Sequence, residues 1–238
     1  MRVNWKIFGM LLVIVVLAGL YGFSNQRNSI RNLTDISVQF TDENPPFISR
    51  NAVNKLLIQN EDSLSGMHKD ELVLRVMEQR LQAHPMVQNA QVFLTVDGQV
   101  GARIEQRKPL ARVVGSPSFY LDDQGEKMPL SEVYSARVPL VSGIQPDQYQ
   151  VILPFLRELD QDEFLKQMVV GVQIDSNDEL ALHLRKHDLV VQFGKPTSLA
   201  QKIRNFKAFY QKTRKDNTLV NYESVDLKFG NQVVATKK

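Results

Sequence analysis

Ala90, Val92, Leu94 and Val96 alternate with mostly polar neighbours, Asp97-Gly98 interrupts them, and Val100, Ala102 and Ile104 resume the alternation. A period of two predicts half-buried strands, and Asp-Gly between two such runs predicts a hairpin. Upstream, Ile36, Val38 and Phe40 give a further strand that Pro45-Pro46 stops. The period then changes. Val53, Leu56 and Leu57 after Ser49, a residue suited to cap a helix, predict a short helix. Val73, Val76, Met77 and Leu81 predict a second over 69–83, with Asp70 and Glu71 in its first turn and His84-Pro85 at its end. The order strand, helix, helix, strand, strand closes a small core when both helices lie on one face of a three-stranded sheet.

From Lys108-Pro109 the pattern is different. Short extended pieces divided by Gly and Pro lead to helical stretches over 149–159 and 163–168, the second opened by Asp160 with Glu163 in the manner of a capping box. Three alternating runs follow, Val170/Val172/Ile174, Leu180/Leu182/Leu184 and Leu189/Val191/Phe193, and polar connections make an antiparallel meander the expectation. Thr197 or Ser198 caps a helix with Leu199, Ile203, Phe206 and Tyr210 on one face. Val225, Leu227 and Phe229, then 233–235, supply a last strand or a hairpin turning at Gly230-Asn231. Such a segment creates a sheet edge, which is a liability unless covered, blunted or used by another chain. The fold class expected is α+β in two domains, with a boundary near 107–114.

Ile7 to Phe23 is 17 residues without a charge, at the short end of what a bilayer of about 30 Å requires. Trp5 and Tyr21 flank it as interfacial residues would. A cleaved signal peptide competes with an uncleaved anchor; the apolar length and the poor cleavage site Gly22-Phe23-Ser24 favour the anchor. A cytoplasmic tail of 1–6, a transmembrane helix of 7–23 and a juxtamembrane linker of 24–35 result, with the larger part of the chain translocated.

The net charge of +3 is confined to the first 35 residues, and the rest carries 25 basic and 25 acidic side chains. Nucleic-acid binding, which needs a basic footprint, loses its support. With no cysteine there is neither a disulfide framework nor a thiol nucleophile. Gly194-Lys195-Pro196-Thr197 lacks the earlier glycine of a phosphate loop, and His183 and His187 fall on strand and turn without the helical spacing of a metal site. Asp122-Asp123 and Asp160, Asp162 and Glu163 are accounted for by turns and caps. Arg103, Glu105 and Arg107 form either a solvated face or a binding patch. No metal, cofactor or catalytic residue is expected.

The passage "VQNAQVFLTVDGQVGARIEQRKPLARV", with Glu105, Arg107, Pro109 and Ala111, resembles the helix-to-hairpin region of the bacterial FtsQ/DivIB cell-division family. "YLDDQG", "VPLVSG" and "VDLKFGNQVV" resemble later signatures of the same family in the same order, although Gln106 separates Glu105 from Arg107 where the family has them adjacent. The resemblance implies a POTRA domain over 30–108 (β-α-α-β-β) and the family's β domain over 109–238, an antiparallel sheet with flanking helices. It implies a non-enzymatic protein of the bacterial inner membrane, single-pass with its N-terminus cytoplasmic and its domains periplasmic, at the division septum. The partners implied are FtsB-like and FtsL-like divisome proteins, with other divisome proteins reached through the POTRA domain, and the outcome is control of septal peptidoglycan synthesis. By motif position the partner adds a strand at an edge formed by Phe229, Asn231, Gln232, Val233, Val234, Ala235 and Thr236. Phe229 is the aromatic anchor, or, sharing the parity of Val225 and Leu227, it packs inward. A POTRA-bearing transport component that offers a sheet edge to polypeptides is the alternative.

Overall fold

The computed structural model describes residues 5–29, 36–42, 45–58, 71–95, 99–230 and 232–238, with main chain alone for 5–8, 24–29 and 71–73. The chain divides into two compact units, Met1–Glu43 with Ser49–Glu105, and Asn44–Ile48 with Gln106–Lys238.

The first unit opens with α1 (Trp5–Ser29), whose large apolar side chains from Met10 to Phe23 are exposed. Among the described residues, however, no helix is long and apolar enough to cross a membrane. The described side chains of α1 cover 9–23, about 22 Å at 1.5 Å per residue against about 30 Å of hydrocarbon. The expected span of 7–23 is thus carried by the structure only as far as a helix.

After α1 come β1 (Ile36–Phe40), α2 (Arg50–Ile58), α3 (Glu71–Gln82), β2 (Val87–Leu94) and β3 (Val100–Gln106), with strand order β1-β3-β2. β1 runs parallel to β3 from Ile36↔Val100 to Phe40↔Ile104. Ser49 caps α2 through its hydroxyl, which accepts the Ala52 N–H at 3.1 Å. The Asp97-Gly98 turn lies outside the described residues, but Thr95 N–H donating to Gln99 O at 2.9 Å closes the hairpin around it. Val53 and Leu57 of α2, Met77 and Leu81 of α3 and Val87, Ala90, Val92, Val100, Ala102 and Ile104 of the strands are all buried. On the opposite face the Phe93 ring lies so close over Gly101 that a β-carbon there would sit 2.4 Å from it, and the Arg103 guanidinium stands 5.9 Å from the ring centre.

The second unit is built on β4 (Pro109–Val113), β5 (Phe119–Asp122), β6 (Lys127–Pro129), β7 (Leu140–Ser142), α4 (Tyr149–Gln161), α5 (Glu163–Met168), β8 (Val169–Ile174), β9 (Leu180–Leu184), β10 (Val190–Gly194), α6 (Leu199–Lys215), β11 (Tyr222–Asp226) and β12 (Val234–Lys237). The strands form one nine-stranded sheet in the order β12-β11-β10-β9-β8-β7-β4-β5-β6. The meander β8-β9-β10 is antiparallel, as its alternation predicts. The sheet as a whole is mixed: β4 with β7, β7 with β8 and β10 with β11 are parallel, which corrects the purely antiparallel expectation. Parallel neighbours need a long crossover, and α4 with α5 supplies one between β7 and β8 while α6 supplies another between β10 and β11. Ile152, Phe155, Leu156 and Leu159 of α4, Leu165 of α5 and Ile203, Phe206 and Tyr210 of α6 pack with Val141, Val172, Leu182, Val191, Phe193 and Val225 of the sheet in one buried cluster.

Two caps differ from expectation. Asp162, not Asp160, opens α5, its side chain accepting from Leu165 N–H. Ser198 precedes α6 at φ 52° and makes no side-chain cap; the turn before the helix leaves it left-handed and its hydroxyl misdirected.

Candidate partner-binding edge

The last two strands are an antiparallel hairpin. Asp226 pairs with Val234, Val225 with Ala235 and Ser224 with Thr236, and a register shift before Tyr222↔Lys237 marks a bulge in β11. Lys238 N–H donates to Asn221 O at 2.9 Å. Main-chain groups along an antiparallel strand face alternately toward and away from the neighbour. Counting back from Lys238, the main-chain groups of Thr236 and Val234 face β11, and those of Lys237 and Ala235 face outward, where β12 ends the sheet.

Side-chain direction follows from the pairing. Ala235 lies opposite buried Val225 and, with Val233, packs against the helix-covered core, whereas Val234 and Thr236 are exposed on the other face beside Asp226 and Ser224. Gln232 is exposed, and Asn231 lies outside the described residues. Phe229 is 52% exposed although it shares the parity of Val225 and Leu227. The reason is local: β11 ends at Asp226, whose carboxylate accepts the Lys228 N–H at 2.8 Å, and Gln232 N–H donates to Phe229 O at 3.1 Å. Parity fails where this Asx turn breaks the strand.

Three contacts hold the loop that carries Phe229. Asn205 of α6 donates Nδ2–H to Gly230 O at 3.1 Å, Leu227 N–H donates to Gln192 O at 2.9 Å, and Lys228 Nζ pairs with Glu179 at 2.7 Å. The Glu179 hydrogen bond pushes the Lys228 ammonium above its ordinary pKa. At the neighbouring end of β10, buried Lys202 donates to Phe193 O at 2.9 Å and Lys195 O at 2.7 Å, and burial pushes its pKa down. Sequence reasoning passed over Asn205 and Lys202, since a polar side chain on a helix gives no local sign that it binds a carbonyl far along the chain.

The other candidate residues disperse. His183 is exposed on β9 while His187 reaches the Tyr210 hydroxyl at 3.3 Å. Among the described residues no group of His, Asp and Glu is arranged to hold a metal ion. Gly194, at φ 69°, begins a turn whose Lys195 O is taken by Lys202. Buried Asp122 pairs with Arg107 at 2.7 Å and accepts the Gln124 and Glu126 N–H groups at 2.9 and 2.7 Å. Asp160 binds Lys108 and Lys166, and Asp162 binds Lys207. Arg103, Glu105 and Arg107 do not act as one patch: Arg103 stacks near Phe93, Glu105 is exposed, and Arg107 turns to Asp122.

Residues 33–105 match the model of the POTRA-like domain, and residues 108–236 match the model described as FtsQ/DivIB, C-terminal related. The chain is similar to the Cell division protein FtsQ of Salinibacter ruber (strain DSM 13855 / M31), 28% identical over 172 residues, a match that spans 65% of this chain and 66% of that protein, just under two thirds of its length. Since the second of these models alone covers more than half of the sequence, the chain belongs to the FtsQ/DivIB family of cell-division proteins, with a POTRA-like domain ahead of the family's C-terminal region.

Proposed function

We propose that this chain is a non-catalytic, membrane-anchored scaffold of the division septum that takes a strand from an FtsB-like partner onto β12, with an FtsL-like protein in the same complex, and so controls septal peptidoglycan synthesis. The carrying observation is β12 itself, an edge strand with main-chain groups of Ala235 and Lys237 turned outward and exposed Phe229 in the loop ahead of it. Main-chain hydrogen bonds supply affinity in strand addition and alternate side chains supply specificity. Phe229, Gln232, Val233, Val234, Ala235 and Thr236, with Asn231 between them, are the residues assigned to this contact.

Anchoring through α1 belongs to the same proposal. Its exposed apolar side chains from Met10 to Phe23 need an apolar environment, which a bilayer supplies. The N-terminal side of α1 would then be cytoplasmic and both folded units periplasmic. Other divisome proteins would be met through the POTRA-like domain.

The transport alternative would receive polypeptides on an edge of the three-stranded sheet. Of that sheet's two edges, β1 and β2, the second is occupied: Glu78 accepts the Val92 N–H at 3.1 Å and Gln82 donates to Ala90 O at 3.2 Å. The scaffold reading stands ahead because it accounts for the match of residues 108–236 to the FtsQ/DivIB model as well.

The test is binding of the full-length chain, held in detergent or a nanodisc, to the FtsB-like protein of the same cell, beside a chain ending at Gly230. Loss of binding in the shortened chain, with β8–β10 still protected from hydrogen exchange, supports the reading. An intact, folded chain that binds neither the FtsB-like protein nor its complex with the FtsL-like protein overturns it.

A further inference from the structure

Between β1 and α2 the chain leaves the first unit and places Asn44–Ile48 in the second. Phe47 is 5% exposed and Ile48 is equally buried, although no strand or helix includes them. Loop residues usually satisfy their main-chain groups with water or with nearby backbone. Phe47 does neither. Its N–H donates to the Gln106 side-chain oxygen at 2.6 Å, and its carbonyl accepts from the Ser131 hydroxyl at 2.5 Å, partners 59 and 84 residues away.

The receiving side chains are themselves fixed. Ser131 Oγ accepts the Val133 and Tyr134 N–H groups at 3.0 and 3.2 Å, so its one proton is left for Phe47 O. Tyr134 and Tyr120 present their rings to Phe47 in edge geometry, with centroids 5.3 and 6.4 Å away. The Tyr120 hydroxyl accepts the Ala136 N–H at 3.1 Å and lies 3.3 Å from Ser135 Oγ. Ahead of the aromatic, Pro45 is exposed and Pro46 half-buried. Two fixed φ angles hold this stretch extended and reduce the entropy lost when it seats.

A side-chain acceptor, a side-chain donor and an aromatic cleft converging on one residue are how a peptide ligand is read. We infer that the C-terminal unit carries a recognition slot for an extended proline-proline-aromatic peptide, made by Gln106, Tyr120, Ser131 and Tyr134, and that residues 45–48 of the same chain are its occupant. Gln106, which interrupts the Glu-Arg pair of the family, thereby has a role of its own: it is the acceptor that reads the Phe47 N–H.

A ligand tethered in cis acts at an effective concentration on the order of millimolar, so a free peptide competes poorly until the internal copy is weakened. The test uses the full-length protein and a fluorescent peptide of residues 44–49. The Phe47→Ala chain should bind the peptide at least tenfold more tightly than the unaltered chain, and adding Ser131→Ala and Gln106→Ala should abolish that binding. Equal binding by the unaltered and Phe47→Ala chains, or none by a folded Phe47→Ala chain, overturns the inference. Should Phe47→Ala fail to fold, hydrogen exchange at the Phe47 amide decides. Gln106→Ala should speed it at least tenfold with the Val225 amide unchanged, and an unchanged Phe47 rate overturns the inference.

Discussion

Proline placed along β12 separates the two faces of its main chain. Ala235 directs its N–H away from β11, whereas Val234, paired with Asp226, directs its N–H into the hairpin. Ala235→Pro therefore removes a donor available to a partner strand without removing a rung of the existing ladder, and edge strands tolerate proline at such positions. The lost hydrogen bond is worth about 1 kcal/mol, and the partner carbonyl left without a donor adds roughly 1–2 kcal/mol, near the low end because an edge admits some water. A total of about 2–3 kcal/mol corresponds to a weakening of roughly 30- to 150-fold. Calorimetric or surface-binding titration of the full-length chain with the FtsB-like partner reads this, and the Asp226 amide, which the pairing turns toward Val234, should keep its protection from hydrogen exchange. Val234→Pro should lose both partner binding and that protection. Phe229→Ala should weaken binding without touching the ladder, by about 2 kcal/mol if the ring anchors the partner. An Ala235→Pro chain that binds within threefold of the unaltered one would refute outward strand addition at this position.

Three further outcomes follow from the second unit. Asp122→Ala removes the carboxylate that binds the Arg107 guanidinium and leaves two turn N–H groups without their acceptor; the loss should be about 2 kcal/mol in the urea transition of this unit, and a loss under about 1 kcal/mol counts against the account. Gly143, at φ 79°, would place a β-carbon 2.3 Å from Ile174 O, so Gly143→Ala should cost about 2–3 kcal/mol and loosen the β7–β8 amides, and undisturbed exchange there would show that the turn adapts. Burial pushes the Asp160 carboxyl up, but Lys108 and Lys166 outweigh it and hold it below the ordinary carboxylate range; Asp162 is likewise held down by Lys207 and the Leu165 N–H against burial. A folded pKa below the unfolded one gives stability that is full above about pH 4 and is lost as the pH falls through the depressed folded values. The acid limb of the stability curve should flatten in an Asp160→Asn/Asp162→Asn chain, and an unchanged limb would assign acid unfolding to other groups.

The local elements were legible because their signals are local. Alternation located β8, β9 and β10, the period of the apolar residues located α3 and α6, and Ser49 marked the start of α2. The mixed character of the large sheet was not, since nothing in the alternation of Val141 or Val225 states which strand lies beside it. The helices between β7 and β8 and between β10 and β11 were the available clue, as crossovers imply parallel neighbours. Pro45-Pro46 read correctly as the end of a strand, but the seating of Phe47 against Tyr120 and Tyr134 depends on residues more than seventy positions away. At the candidate edge, the strand-forming character of Val234 to Thr236 was visible, while the exposure of Phe229 depended on an Asx turn that parity ignores.

The treatment of sheet edges gives the partner reading its force. An unpaired strand edge invites association, and proteins blunt such edges unless they serve a purpose. At β2, Glu78 and Gln82, four residues apart on one face of α3, reach over to the Val92 N–H and the Ala90 carbonyl. At the far end of the large sheet, β6 has only three residues, of which Pro129 has no N–H to offer and Lys127 carries its charge over the Phe119 and Tyr149 rings. β12 has neither device among the described residues: it contains no proline, and no side chain caps the outward groups of Ala235. Among the described residues its deterrents are Lys237 and Lys238, which stand at one end of the edge while Phe229 stands at the other. Lysines repel indiscriminate strands yet admit one that brings carboxylates to that end. An edge left open along its length and charged at one end is therefore fitted to a particular occupant, apolar where it meets Phe229 and acidic where it meets the lysines.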